Sequence, residues 1–233
     1  MPKPLIIAHR GDSSRALENS LEAFRLALSI PVDMIEFDIR KSRDNVLYVM
    51  HDRDTGRTAN GNIDIEKAVS DDISRLRLKN GEPVPTLHDV LALVDGKAGL
   101  NIEIKSEGAG ALAAAHLVGS GYQGEVLISS FKEQEIIGAR RVMPDVPAAG
   151  IFDTFIPVEI SAYKAKGYSI ASLNRKTVTR ELVDLCHSRK IGVYVWTIDN
   201  EEEMKKLISW DVDGMYSNRP AMLYNIVGNI VNL

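Results

Sequence analysis

The sequence predicts an α/β protein whose strands and helices form a closed (β/α)8 barrel. Short apolar runs alternate along the chain with longer amphipathic segments, an order typical of parallel strands joined by helices. About eight such units fit into the 233 residues, a length that this barrel commonly uses as one domain. An open doubly wound sheet is the alternative, but no glycine-rich nucleotide turn follows the first strand.

Each predicted strand is a short apolar run, and each predicted helix has apolar residues at helical spacing. Ser20 or Asn19 can cap the first helix, and Thr86 can cap the second with Asp89 three residues later. The predicted strands are Leu5–Ala8, Met34–Ile39, Val46–Met50, Leu100–Lys105, Val126–Ser129, Ala148–Ile151, Ser169–Leu173, Ile191–Trp196 and Gly214–Tyr216. The predicted helices are Leu21–Leu28, Thr86–Val94, Gly110–Val118, Glu133–Val142, Val158–Lys166, Thr177–Ser188, Glu201–Ser209 and Ala221–Ile226.

The regular order breaks once, between His51 and Thr86. This stretch is irregular and polar, with turn signals at Gly56, Asn60-Gly61 and Asn80-Gly81. We interpret residues 53–84, approximately, as a small insertion after the second strand that lies over the mouth of the barrel. Residues 1–233 are otherwise expected to form a single domain.

Composition excludes several classes of partner. Apolar residues make up 45% and charged residues 26% of the chain, which is ordinary for a globular protein. The net charge of −4 supplies no basic stripe for nucleic acid. No apolar run is long enough to cross a membrane, and the first apolar run is too short for a signal peptide. Cys186 is the one cysteine, so we expect no internal disulfide and a cytoplasmic protein.

Acidic residues interrupt two of the predicted strands. Glu36 and Asp38 alternate with apolar residues on one strand, and Glu103 and Lys105 do so on another, so each pair shares a face. Three carboxylates at a barrel mouth repel one another unless a cation lies among them. Oxygen ligands favour Mg²⁺, Ca²⁺ or Mn²⁺ over Zn²⁺. Lys105 could balance this charge or grip a phosphate, and a buried salt-bridge network without metal is the alternative.

Two histidines also follow predicted strands. His9 and His51 could serve as general acid and general base near neutral pH, although the sequence does not say which does which. Arg10 offers a guanidinium fork that matches phosphate oxygens. Trp196 ends a strand, where it could either line the mouth and contact substrate or pack into the core.

Taken together, these motifs resemble the glycerophosphodiester phosphodiesterase family. The resemblance is carried, in chain order, by His9-Arg10-Gly11, Glu18-Asn19-Ser20, Glu36-Phe37-Asp38, His51-Asp52, Pro85-Thr86-Leu87, Glu103-Ile104-Lys105, Ser129-Ser130-Phe131, Val195-Trp196-Thr197, and Asp213-Gly214 with Pro220. It covers essentially the whole chain. Two positions depart from the family pattern: Leu17 stands where proline is usual, and Asn218 stands where aspartate is usual.

The resemblance implies a TIM barrel that hydrolyses glycerophosphodiesters to sn-glycerol 3-phosphate and an alcohol, with a possible cyclic intermediate. It implies Mg²⁺ or Ca²⁺, with Mn²⁺ possible, as the cofactor. The roles it implies are metal binding by Glu36, Asp38 and Glu103, acid–base catalysis by His9 and His51, phosphate binding by Arg10 and Lys105, and glycerol contact by Trp196. The expected partner is a small-molecule substrate, with neither nucleic acid nor stable membrane insertion.

Three other functions stay open at this point. Lys105 could form a Schiff base in an aldolase-like lyase. The barrel could bind phosphodiesters without turnover. A lysophospholipase D-type activity is conceivable if the insertion presents an apolar surface. The sequence specifies neither the headgroup alcohol nor the oligomeric state.

Overall fold

Eight parallel strands close into a barrel in the computed structural model, which describes residues 3–155 and 160–231. Successive barrel strands are hydrogen-bonded neighbours, and the ring closes because the first strand (Leu5–His9) pairs with both the second (Met34–Lys41) and the last (Gly214–Ser217). A ninth strand (Leu47–Val49) pairs antiparallel with the strand Met34–Lys41. The predicted (β/α)8 barrel is therefore confirmed, and closure excludes the open sheet.

The helices and strands have the following bounds. The strands are β1 (Leu5–His9), β2 (Met34–Lys41), β3 (Leu47–Val49), β4 (Gly99–Ile104), β5 (Val126–Ser130), β6 (Ala148–Phe152), β7 (Ile170–Asn174), β8 (Gly192–Trp196) and β9 (Gly214–Ser217). The helices are α1 (Leu21–Leu28), α2 (Ser70–Ser74), α3 (Leu87–Val94), α4 (Ala109–Ser120), α5 (Glu133–Val142), α6 (Ile160–Ala165), α7 (Arg180–Ser188), α8 (Glu201–Ser209) and α9 (Pro220–Val231).

Side-chain caps explain where several helices begin. Ser20 caps α1 by accepting a hydrogen bond from the backbone N–H of Ala23, and Thr86 forms the expected reciprocal capping box with Asp89. Helix α7 was predicted from Thr177, but it begins at Arg180 because Thr179 is its cap. Of the predicted helix at 158–166, residues 158 and 159 lie outside the described part of the chain.

Apolar side chains form two layers around the strands. Residues that point into the lower part of the barrel form one cluster: Ile7, Met34, Leu127, Ala149, Tyr194 and Tyr216. The alternate residues point outward, where Ile35, Phe37 and Ile102 pack under the helices. Phe24 of α1 meets Phe37 edge to face, with ring centroids 5.8 Å apart. The helix-facing core thus leaves the upper barrel interior free for polar side chains.

The β3–α3 segment (residues 50–86) has a small core of its own. Ile65, Ile73 and Leu78 are buried in it with Tyr48 and Met50. Helix α2 lies in this segment and was not predicted, because five residues are too few to show a helical period. None of the helices in the described ranges is long and apolar enough to span a bilayer.

Candidate active site

The barrel strands bring the three predicted acidic ligands together. Strand register places Asp38 beside Glu103 and Glu36 beside His9. One carboxylate oxygen of each of Glu36, Asp38 and Glu103 lies within 4.8 Å of the others, and all three residues are buried. The pairing of β2 with both β1 and β4 therefore builds a compact acidic cluster from residues far apart in sequence.

Burial and mutual repulsion disturb the ionisation of this cluster. Burial and the nearby Asp38 raise the pKa of Glu36 well above its usual range and raise that of Glu103 to about 7. Burial also acts on Asp38, but Lys105 and Arg10 outweigh it and lower the pKa of Asp38. Without a further cation, Asp38 is therefore the member that most readily keeps its negative charge.

The donor set of the cluster fits a hard divalent cation. All three donors are carboxylates, as Mg²⁺, Ca²⁺ and Mn²⁺ prefer. Oε1 of Glu36 is buried and accepts no hydrogen bond from any described residue, so it has a lone pair to offer. The Lys105 ammonium lies 3.1 Å from Oδ1 of Asp38 and also contacts Glu103. This ammonium partly balances the negative charge but does not reach Glu36 in any described ion pair.

Two histidine rings flank the cluster, and each is held through Nδ1. His9 Nδ1 lies 2.7 Å from Oδ1 of Asn218, and His51 Nδ1 lies 2.7 Å from Oδ1 of Asp52. Amide and carboxylate oxygens accept hydrogen bonds, so both Nδ1 atoms are assigned the proton and both Nε2 atoms are left free. His9 Nε2 lies 3.9 Å from Glu36. Burial and the neighbouring Arg10 lower the pKa of His9 to about 4.

Asn218 belongs to a larger hydrogen-bond network than the sequence suggested. Its Oδ1 also accepts from the Ser13 hydroxyl, and its Nδ2 donates to Asp199 at 2.6 Å. Asp199 additionally accepts from the Asn218 backbone N–H. Asn218 lacks the carboxylate that is usual at this position. Asp199 supplies a carboxylate instead, and it contacts Asn218 rather than His9.

Arg10 reaches the cluster because of an unusual backbone turn. Its φ of 56° and the φ of 82° at Gly11 turn the chain sharply after β1. A Cβ atom on Gly11 would lie 2.6 Å from the backbone of Ala23, so glycine is needed here. Arg10 Nε then lies 3.2 Å from Asp38, and Nη1 donates to Glu18 at 2.8 Å. The guanidinium lies beside the acidic cluster, at the mouth of the barrel.

These side chains line a pocket with about 490 Å³ of empty space at the barrel mouth. Seven of the eight residues predicted for the site line it: His9, Arg10, Glu36, His51, Glu103, Lys105 and Trp196. Asp38 is fully buried behind them, where Asn19 donates to it at 2.8 Å. Trp196 lines the pocket, donates to the carbonyl of Ser172 and meets Phe131 edge to face.

Comparison with known families decides what kind of barrel this is. The model of the glycerophosphoryl diester phosphodiesterase family matches residues 9–222. The chain belongs to this family. The resemblance noted in the sequence is thereby confirmed, and so is the expectation of an enzyme of the glycerophosphodiester phosphodiesterase type.

Relatives and solved structures agree with this membership. A glycerophosphodiester phosphodiesterase of Caldanaerobacter subterraneus subsp. tengcongensis is 30% identical, and the match covers 97% of this chain and 98% of the relative. A glycerophosphodiester phosphodiesterase structure from Agrobacterium tumefaciens has a TM-score of 0.83 at 27% identity, covering 95% and 99% of the two chains. A phosphodiesterase from Oleispira antarctica, in complex with the product sn-glycerol-3-phosphate, shows the same fold: its TM-score is 0.90 at 22% identity, with 97% of each chain covered.

Sequence reasoning missed three residues of the polar floor of this phosphodiesterase-family pocket. Asn101, Ser172 and Tyr216 line the pocket with Ser129, and Asn101 donates to the Tyr216 hydroxyl at 2.8 Å. Asn101 lies two residues before Glu103 on the same strand, so the alternation rule could have found it. The role of Asp199 could not have been found in this way, because nothing in the sequence links it to His9.

Proposed function

We propose that this chain hydrolyses glycerophosphodiesters to sn-glycerol 3-phosphate and an alcohol. In this proposal Glu36, Asp38 and Glu103 hold a divalent cation, Mg²⁺ or Ca²⁺ with Mn²⁺ also suitable. The observation that carries the proposal is a single pocket at which three clustered carboxylates meet two histidine rings and two basic side chains. Family membership supplies the reaction, and this arrangement is suited to perform it.

The substrate phosphate requires positive charge, because its anionic oxygens repel a nucleophile. Arg10 and Lys105, both beside the acidic cluster, are proposed to hold two of those oxygens. A bound divalent cation supplies further neutralisation as charge shifts in the transition state. The Trp196 ring is proposed to contact the glycerol carbons, so that the phosphorus lies between the two histidines.

The partners of the two histidines support different roles. Burial lowers the pKa of His51, but the Asp52 carboxylate that backs the ring opposes this shift and favours the imidazolium, whereas His9 is backed by a neutral amide. We therefore propose His51 as the general acid, which protonates the leaving alkoxide. His9, neutral near pH 7 because its pKa is about 4, is proposed to take the proton of the attacking glycerol hydroxyl through Nε2. Water then opens the resulting cyclic phosphodiester with the roles reversed: His51 takes a proton from the water, and His9 returns its proton to the glycerol oxygen, which gives sn-glycerol 3-phosphate.

The other functions lose support in the structure. The ion pairs of Lys105 with Asp38 and Glu103 raise its pKa although burial opposes them, and a protonated amine cannot form a Schiff base. In the described part of the chain the strongly exposed large apolar residues are Val118, Phe131 and Val142, and none of them belongs to residues 53–84, where an apolar surface for a longer lipid was considered. The cytoplasmic location stays a prediction from the sequence.

An activity panel tests the proposed function directly. Glycerophosphocholine and other glycerophosphodiesters are incubated with the metal-stripped protein and then with Mg²⁺, Ca²⁺ or Mn²⁺, and sn-glycerol 3-phosphate is measured. We expect turnover that EDTA abolishes and one of the three ions restores. Binding of substrate without release of product under every condition would identify a non-catalytic phosphodiester-binding barrel.

A further inference from the structure

One arginine of the β3–α3 segment, Arg57, binds two carboxylates at the barrel mouth. Its Nη1 and Nη2 donate to the two oxygens of Glu18 at 2.9 and 2.7 Å. Its Nε donates to Oδ2 of Asp52 at 2.5 Å. The guanidinium therefore uses both edges of its planar fork, one for each carboxylate.

Each of these carboxylates holds a residue of the proposed machinery. Oε1 of Glu18 also accepts from Nη1 of Arg10 at 2.8 Å. Oδ1 of Asp52 accepts from Nδ1 of His51 at 2.7 Å. Arg57 is thus connected through one intervening carboxylate to Arg10, the proposed phosphate-binding arginine, and through another to His51, the proposed general acid. Arg57 itself does not line the pocket.

The side chains of Arg57, Glu18 and Asp52 are partly exposed to solvent, so their hydrogen bonds determine how they are oriented. The Arg57 side chain is 47% exposed, Glu18 is 20% exposed and Asp52 is 30% exposed. Packing alone leaves side chains this exposed free to change rotamer, whereas a fork bonded to two carboxylates fixes their relative positions. The hydrogen bond from Arg57 is also the largest cause that lowers the pKa of Asp52 to about 2, so Asp52 stays an acceptor for His51.

We propose that Arg57 is a positioning residue, which orients His51 through Asp52 and Arg10 through Glu18. This inference rests on the proposed function for its effect on turnover, but not for its effect on the His51 ring. The β3–α3 segment, on this account, is part of the catalytic apparatus, because its arginine completes the hydrogen bonds that align two residues of the barrel.

The first test compares Arg57→Gln, Arg57→Lys and a matched control. Arg25→Gln is that control, because Arg25 also joins the barrel to the β3–α3 segment, through Glu82 at 2.9 Å, and neither partner lines the pocket. We expect Arg57→Gln to lower kcat roughly 10- to 100-fold, the range for residues that orient others. Arg57→Lys should stay within about threefold of Arg57→Gln, since an ammonium lacks the fork. Arg25→Gln should stay within about twofold of wild type, as an exposed ion pair contributes little.

The second test does not depend on turnover. Nitrogen-15 shifts of His51, assigned among the five histidines with a His51→Ala variant, report which ring nitrogen carries the proton. At pH 8 the wild type should show Nδ1 protonated, and Arg57→Gln should shift toward a mixture of tautomers while Arg25→Gln does not. If wild-type protein had no phosphodiesterase activity, the proposed function would fail, and these shifts would still decide the role of Arg57.

A double-mutant cycle tests whether Arg57 affects turnover through Asp52. Asp52→Asn and Arg57→Gln should each lower kcat, and the double variant should lose less than the product of the two single losses, because both changes release the same His51 ring. Wild-type kcat and an unchanged His51 tautomer in Arg57→Gln would overturn the inference. So would full rescue by Arg57→Lys, which would show that charge alone matters.

Discussion

Replacing Glu103 by glutamine should stabilise the metal-free protein at alkaline pH while abolishing its response to metal. Burial and Asp38 raise the pKa of Glu103 from 4.5 to about 7, so ionising this carboxyl in the fold costs roughly 3 kcal/mol more than in the unfolded chain. Glutamine has the same shape and carries no charge. At pH 8.5 the metal-free variant should therefore unfold roughly 6–12 °C above metal-free wild type.

The pH dependence of the wild type has a defined sign. A carboxyl with a raised pKa stabilises the fold fully below its unfolded value of 4.5, and this contribution is lost as the pH rises through about 7. The lowered pKa of His9 has the opposite effect, since it makes the fold less stable as the pH falls, but only below about pH 6.5. Between pH 6.5 and 8.5 Glu103 alone should therefore cost the metal-free wild type about 1 kcal/mol, and Glu36 should add to this loss.

Scanning calorimetry with EDTA or with Mg²⁺ at the two pH values measures these effects. Metal should raise the unfolding temperature of wild type, more strongly at pH 8.5, because the ligands bind as carboxylates. Glu135 supplies a control: it is buried and accepts hydrogen bonds from the backbone N–H groups of Gly108 and Gly110, so Glu135→Gln should destabilise the protein with or without metal. Metal-free Glu103→Gln that melts at or below wild type at pH 8.5 would refute the reasoning.

Three further predictions address catalysis and packing. His9→Ala and His51→Ala should each reduce kcat at least about 100-fold, as loss of a positioned acid or base does, and steady-state kinetics with near-normal turnover in either would contradict the assignment. Lys105→Met should lower kcat/KM roughly 10- to 100-fold through loss of a charged hydrogen bond to phosphate, yet leave measurable turnover, which a Schiff-base enzyme would not. Gly110→Ala should cost about 1–3 kcal/mol of unfolding free energy, because its Cβ would lie 2.1 Å from the carbonyl oxygen of Glu135. In denaturant melts, Gly119→Ala of the same helix should be neutral or stabilising, since nothing lies within 4 Å of its Cβ; equal losses in both would count against the close approach of α4 and α5.

The periodic parts of the fold were predictable because burial alone determines them. Helices α1 and α8 have the bounds expected from their apolar spacing, and the capping box of Thr86 follows from residue types three positions apart. The β3–α3 segment was not predictable beyond its irregularity. Its short helix and its buried side chains, such as Ile65, depend on contacts that no local pattern encodes.

The site was predictable to the extent that strand alternation places side chains on one face. Glu36, Asp38 and Glu103 converge because their strands are neighbours and their registers match. Hydrogen bonds between loops were beyond this reasoning. The sequence could not show that Arg57 lies against Glu18, since the two are 39 residues apart and neither belongs to a periodic element.

The pairing of β1 with β9 couples the orientation of His9 to closure of the barrel. The acidic cluster is built from β2 and β4, whereas His9 depends on Asn218, 209 residues away in sequence and just beyond the last barrel strand. A nascent chain could bring together the three carboxylates proposed to bind metal long before the residue that orients His9 has been synthesised. On the proposed function, turnover therefore requires the closed ring, and local opening where β1 meets β9 should abolish turnover before it affects the binding of metal.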